Sequence, residues 1–271
     1  MKKTSNTNKG IFAVLALLSV TYLIPWLYMF VRSFLRHEPG LSDGKGLLTL
    51  EHYKVVLGDA GFPTYVLNSF LVLVAVLLAN VIFSIMVGYA FARYRFPFKR
   101  VLFWLVLATL MVPKQTLMVP LLDFMVKIGL QNTLWAIILP FCVDGFNLFL
   151  IKQYIEGLPK DLEEAARVDG CGEFTILRHV IFPLCRPAIA VLVINTSIIT
   201  WNSFLFPLIL TDTASVRTLP VALAMFSQGP HATDWGALMA GASVSSLPII
   251  AIFWLFQKEI IDGITSGALK E

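Results

Sequence analysis

Two ionisable residues stand inside otherwise apolar stretches: Lys114 in MVPKQT and Asp144 in CVDGFN. Lys114 lies about thirteen residues, roughly 20 Å of helix, beyond Val101, where its apolar stretch begins. A lysine near the middle of a bilayer costs about 2.5–3.5 kcal/mol on insertion scales, so it should face a cavity or a partner. Snorkelling around a locally broken helix is the competing reading. Asp144 stands in a comparable setting, and Asn147 lies one turn further on. Asn195, Thr196, Ser197, Thr200, Trp201, Asn202 and Ser203 form a second polar group within an apolar stretch. Amides and hydroxyls can exchange hydrogen bonds with sugar hydroxyls, and an indole can stack on the apolar face of a sugar ring. The same side chains also bridge helices in membrane bundles, so both roles stay open. Lys114, Asp144, Asn147, Asn195, Trp201 and Asn202 are therefore the candidate lining of a substrate path.

Other chemistry finds no support in the sequence. There is no phosphate-cradling G-x-x-x-x-G-K-[ST] loop. His37, His52, His179 and His231 are far apart and form no metal-ligand spacing. No serine–histidine or paired-carboxylate arrangement falls at membrane depth, which counts against an intramembrane hydrolase or lipid transferase. Of the three cysteines, Cys142 lies in an apolar block while Cys171 and Cys185 flank a polar loop, so no disulfide is expected.

These residues need a scaffold, and composition says which kind. At 57% hydrophobic and 14% charged, the chain lies outside soluble norms and is expected to be an all-α polytopic membrane protein. Six runs are long enough to span: 11–31, 65–92, 101–122, 133–151, 188–210 and 235–257. The first is too long for a signal peptide's apolar region and lacks a small-residue cleavage site. Pro25 should kink that helix rather than end it. Residues 1–10 form a polar N-terminal tail expected to be mobile, and Leu50–Leu57 an outer surface helix. Ser84, Gly88 and Ala92 recur every fourth position in the second span and permit close helix approach.

Basic residues set the orientation. Of the 21, fourteen fall on the side holding both termini and the loop after the fourth span, six on the other, and Lys114 inside a span. Both termini and that central loop are therefore expected to be cytoplasmic. The net charge of +4 follows this sidedness and gives no reason to expect nucleic acid. Lys114 and Asp144 then sit on consecutive antiparallel helices. Asp144 lies about 10 Å from the cytoplasmic edge if its helix ends at Ile151, and about 21 Å if it continues to Leu158. The second case matches the depth of Lys114, and the two are expected either to pair or to border the same water-filled path.

The segment from Leu158 to Pro187 reads as two short helices meeting at a glycine. Asp161, Glu163 and Glu164 put acid in the first turn, where the helix dipole favours it. Leu162, Ala165 and Ala166 make one apolar stripe, and Gly170 suits a left-handed cap. Phe174, Leu177, Val180 and Ile181 make a second stripe, which Pro183 and Pro187 are expected to stop.

Glu164-Ala165-Ala166, three residues, Gly170, nine residues, then Val180-Ile181-Phe182-Pro183 resembles the EAA loop of ATP-binding-cassette importer permeases. Val180 and Phe182 are conservative departures from that pattern. The second span's NS start at Asn68-Ser69 and its exit Tyr89-Ala90-Phe91-Ala92-Arg93 look like the same family. The run from Trp201 to Leu208 is similar to the WN-x-F-x-x-PL signature of its carbohydrate permeases. The outer loop, with Thr218-Leu219-Pro220 and Gln228-Gly229, and the tail Gly263–Lys270 resemble the maltose-type branch, with Glu271 in place of the usual final glycine.

The resemblance implies a single permease domain over 1–271, with an N-terminal tail 1–10, a coupling loop 152–187 and a C-terminal tail 258–271. It implies that Glu163, Glu164, Ala165, Ala166, Asp169, Gly170, Phe174 and Pro183 couple the chain to an ATPase. The implied partners are a second, different permease, two ATPase subunits and an extracytoplasmic solute-binding protein, in a bacterial or archaeal cytoplasmic membrane. ATP and Mg would be bound by the ATPase subunits, with no cofactor on this chain and no enzymatic activity of its own. A glycerol phosphate or polyol is the alternative cargo to a sugar. A simple channel would need neither the EAA loop nor an ATPase.

Overall fold

Apolar runs broken by proline and glycine give helices of very unequal length. The computed structural model describes residues 3–36, 48–58, 61–226 and 235–268. The helices are α1 (Lys3–Ser33), α2 (Glu51–Gly58), α3 (Phe62–Arg93), α4 (Lys99–Met111), α5 (Met118–Lys127), α6 (Leu134–Ile138) and α7 (Gly145–Glu156). After these come α8 (Asp161–Val168), α9 (Glu173–Ile176), α10 (Phe182–Leu184), α11 (Arg186–Trp201), α12 (Leu205–Leu210), α13 (Leu219–Phe226) and α14 (Trp235–Ala268). Among the described residues, four helical stretches are long and apolar enough to cross a membrane, beginning at Lys9, Phe62, Leu134 and Trp235. Two further helical pairs, bent by 96° at Val112-Pro113 and by 77° at Cys185, would raise the number to six.

Several span boundaries differ from expectation, each for a local reason. The third expected span, 101–122, breaks because Val112 precedes a proline and is extended, at φ −85° and ψ 119°. The fourth breaks at Asp144, also extended, and its second half α7 runs on past Ile151 to Glu156. The fifth ends at Trp201 rather than Leu210, and α12 restarts after Phe204. A continuous helix there would drive the Pro207 ring into the carbonyl four residues earlier. The N-terminal tail is helical from Lys3, continuous with α1, and α1 runs through Pro25 unbroken. The C-terminal segment from Lys258 to Ala268 continues α14 as helix. Pro39, His37, the Gln228-Gly229 pair, His231 and the last residues Leu269, Lys270 and Glu271 lie outside the described residues.

Pro183 does not stop its helix. Leu177–Ile181 widen into a π-turn in which the Phe182 N–H bonds back to the Leu177 carbonyl. Pro183 then falls in the first turn of α10, where its missing N–H is not needed. The break comes at Cys185 instead.

The chain forms two compact units, Met1–Pro63 with Ala222–Leu247, and Thr64–Val221 with Pro248–Glu271. In the first, the loop after α1 folds back on the helix end. Thr49 N–H donates to the Phe34 carbonyl at 2.8 Å, and the Ser33 and Tyr53 hydroxyls bond at 2.8 Å. In the second, α3, α7 and α11 share an apolar core with the loop helices, through Ile85, Ile151, Ile155, Ile176, Ile181 and Leu192. Gly88 lets α3 close on α7, since a Cβ there would meet Ile151 Cγ2 at 2.9 Å and the Lys152 backbone nitrogen at 3.2 Å.

Candidate functional site

Three helix breaks, at Val112-Pro113, at Asp144 and at Asn202–Phe204, contribute to one region of the second unit. Such breaks free backbone groups at membrane depth and are tolerated where they line a cavity or are satisfied by neighbours. Asp144 does the satisfying at its own break. Its Oδ1 accepts from the Phe146 and Asn147 N–H groups at 3.0 and 3.4 Å, capping α7. Its Oδ2 accepts from Lys114 Nζ at 2.7 Å. The lysine side chain is 48% exposed and the aspartate 18%, so the pair has one open side.

That open side faces two adjoining cavities of about 650 and 350 Å3, which share Lys114, Phe141, Ile199 and Phe206 as lining. Asp144 and Asn195 line the larger, and Trp201 and Asn202 the smaller. Phe141 and Phe206 meet edge to face at 4.9 Å between ring centres. Asn202 donates to the Ile198 carbonyl at 2.9 Å and so closes the last turn of α11. Five of the six expected path residues thus fall on the two cavities.

Asn147, the sixth, lies beneath them and is 1% exposed. Its Nδ2 donates to Asn80 Oδ1 at 3.0 Å and to Thr196 Oγ1 at 2.8 Å, tying α3, α7 and α11 together. Asn80 in turn donates to the Val76 and Phe141 carbonyls at 3.0 and 2.7 Å. Among the described residues Asn147 Oδ1 has no hydrogen-bond partner, and Asn147 lines a recess of about 30 Å3 with Lys114, Asp144 and Asn195. A buried acceptor without a partner is costly, and a recess of that size matches one small polar group. Asn80 was missed in the sequence, where a lone amide in an apolar run was the available signal.

The loop 158–185 forms the second candidate site. α8 ends in a full glycine cap: Gly170 has φ +80°, its N–H bonds the Arg167 carbonyl at 3.0 Å, and the Cys171 N–H bonds the Ala166 carbonyl at 3.0 Å. The expected stripe of Leu162, Ala165 and Ala166 is divided. Ala166 packs on the core, while Leu162 and Ala165 face out with Glu164, Asp169 and Gly170. Val168 and Phe174, flanking the cap, are 87% and 70% exposed, a pronounced apolar projection.

Glu163 points the other way. It is buried, and its Oε1 accepts from Arg93 Nε at 2.6 Å, with the two side chains 6% and 3% exposed. Arg93 Nη2 also donates to the Leu158 carbonyl at 2.9 Å. The Tyr89 hydroxyl donates to Glu173 Oε2 at 3.0 Å, with Glu163 Oε2 3.3 Å away. Arg167 Nε bonds Glu173 Oε1 at 2.9 Å. The Arg167 hydrogen bond, followed by that of Tyr94, holds the Glu173 carboxyl down at about 2, so it is ionised at any physiological pH. Tyr94 is pushed up by burial and by its bond to Glu173. Arg93 and Tyr89 were legible in the sequence only as a basic helix end and a motif residue.

Among the described residues, no group of three or more His, Cys, Asp or Glu could hold a metal ion, and Cys142, Cys171 and Cys185 are free thiols.

Residues 80–262 match the family described as binding-protein-dependent transport system inner membrane component. The chain is 36% identical over 266 residues to the arabinooligosaccharides transport system permease protein of Halalkalibacterium halodurans, covering 96% of this chain and 94% of that one. It is 35% identical to the trehalose/maltose transport system permease protein of Thermococcus litoralis, covering 94% of each. It is 34% identical to the trehalose transport system permease protein of Mycobacterium tuberculosis, covering 96% and 97%. The fold is similar, with a TM-score of 0.81 at 24% identity, to a chain of a bacterial ABC transporter involved in import of the acidic polysaccharide alginate, covering 95% and 98%.

Proposed function

Since the chain belongs to the family of binding-protein-dependent transport system inner membrane components, we propose that it is the permease subunit of an ATP-binding-cassette importer for sugars or oligosaccharides. It acts with a second permease and with ATPase subunits, and carries no catalytic centre itself. The relatives transport arabinooligosaccharides, trehalose and maltose by their names, which supports a sugar cargo. The observation that carries the reading is the glycine-capped helix pair with its exposed Val168 and Phe174. An apolar projection of that kind, on the EAA pattern, suits insertion into a groove of an ATPase.

In this reading both termini and the loop lie in the cytoplasm of a bacterial cell, as the basic residues favour. ATP closes the two ATPases and draws the coupling loops together. The spans switch between inward and outward access, and the extracytoplasmic binding protein hands its sugar to the cavities at the helix breaks. Lys114, Asp144 and Asn195 offer charged and amide contacts to sugar hydroxyls, while Phe141 and Phe206 supply apolar faces.

Affinity purification of the tagged chain from its own membranes in mild detergent tests the assembly. An ATPase and a second permease should come with it. Recovery of the folded chain alone, under conditions that keep other importers whole, would remove this function.

A further inference from the structure

Arg93 and Glu163 join two parts of the chain, far apart in sequence, through a buried ion pair. Arg93 is the last residue of α3, and Glu163 sits in the first turn of α8. Both side chains are almost fully enclosed, and the guanidinium also holds the Leu158 carbonyl just beyond the end of α7. One arginine therefore ties α3, the exit of α7 and α8 at a single point. Thirteen residues earlier on α3, about 20 Å away, Asn80 is bonded to Asn147 in the first turn of α7. Between these two points Gly88 brings the α3 backbone against Ile151 and Lys152 of α7. The two helices are thus fastened at both ends and in the middle, with the cavities at one end and the loop at the other.

We propose that Arg93 and Glu163 are positioning residues for transport, which make α8 and the α3–α7 pair one lever between the ATPase-facing loop and the substrate cavity. Glu163 is then not a contact to the ATPase, although it neighbours Glu164 in the motif. Its carboxylate faces the lever, and the outward residues Glu164, Val168 and Phe174 are left for docking. Tyr89, Glu173 and Arg167 brace the same joint, by linking α3 to the start of α9 and the end of α8. A displacement of the loop is transmitted to Asn147 and Asp144 without first being absorbed by the short turn between α7 and α8. Removing the joint should let the loop move while the cavity stays behind.

This inference rests on the importer reading, and the test separates the two. The whole complex, with its partner permease, ATPases and binding protein, is reconstituted in proteoliposomes. Its probe is whichever of maltose, trehalose or arabinotriose the wild-type complex takes up. Uptake and ATP hydrolysis are measured together for wild type, Glu163→Gln and Arg93→Gln. The lever predicts that each variant assembles and hydrolyses ATP, but that the ATP used per sugar transported rises at least threefold. Glu163→Asp keeps the charge on a shorter arm and serves where the glutamine variant fails to assemble, with a smaller rise expected. Amide hydrogen exchange on the purified chain supplies a readout independent of transport. Glu163→Gln should speed exchange in 161–171 while 72–85 of α3 keeps wild-type protection. An unchanged ratio of ATP to sugar, or a proportional fall of both, would overturn the lever while leaving the importer intact. A wild-type complex with no uptake of any probe, alongside the predicted exchange pattern, would instead overturn the importer reading.

Discussion

Asp144 holds the Lys114 ammonium at 2.7 Å with one carboxylate oxygen, while the other oxygen caps α7. The two charges come from separate helix breaks and meet in the wall of the larger cavity, which both line. Sharing one carboxylate between a cap and an ion pair fixes the start of α7 relative to the Pro113 break. It also leaves neither charge uncompensated, since each has the other as its partner.

Lys114→Ala and Asp144→Ala should each impair sugar uptake. The double change should cost less than the two effects added, with a coupling of roughly 0.5–3 kcal/mol. The pair's exposure points to the lower part of that range. Asp144→Asn can still cap α7 but loses the charge, so it should fall between wild type and Asp144→Ala. A cycle of uptake rates across the variants checks this, and strict additivity would remove the functional pairing.

Asn147→Leu removes the amide that joins Asn80 and Thr196, leaving Asn80 Oδ1 without its partner. Buried polar atoms left this way cost about 1–3 kcal/mol in soluble proteins, and interhelical bonds in membranes average about 0.6 kcal/mol. Thermal unfolding of the detergent-solubilised complex should therefore shift down by a few degrees. Asn80→Leu combined with Asn147→Leu should cost less than the two single changes added, because the bond they share is lost only once. A double variant less stable than the sum of the singles would contradict the network.

Gly170 separates backbone strain from docking. Its φ of +80° is strained for a side chain, at about 1–2 kcal/mol, yet a Cβ there meets nothing within 4 Å among the described residues. Gly170→Asn should keep the turn and most ATPase association. Gly170→Trp should abolish transport and release the ATPase while the chain still inserts, because the indole would occupy the space meant for the partner. Full transport by Gly170→Trp would show that no tight surface covers the turn.

The signals that were legible in the sequence share one property: they are local. The glycine cap at Gly170 and the acidic first turn of α8 each act within a few residues, and each appears where expected. The misplaced boundaries came from competing local terms that only the folded backbone weighs. Pro183 is accommodated by the π-turn before it, and Pro207 ends a span that hydropathy alone would carry to Leu210. The inward turn of Glu163 could not be read from its own helix. An acid in the first turn satisfies the dipole equally well facing in or out, and its direction was decided by Arg93, which lies 70 residues earlier. The cavities were likewise hidden, since they arise where breaks on three separate segments meet.

Sidedness is open to direct measurement. A reporter active only in the cytoplasm should work when fused at Glu271 and be silent when inserted at Gly44. The reverse pattern would put the coupling loop outside and end the proposed mechanism.

Uptake by the reconstituted complex measures the proposed transport itself. Proteoliposomes carrying this chain, its partner permease and the ATPases are supplied with binding protein outside and ATP inside, with radiolabelled maltose, trehalose and arabinotriose as probes. The account predicts accumulation of at least one sugar against its gradient, dependent on ATP and on the binding protein, and lost with Gly170→Trp. Accumulation that persists without ATP, or no uptake of any of the three by a complex that hydrolyses ATP, would contradict it.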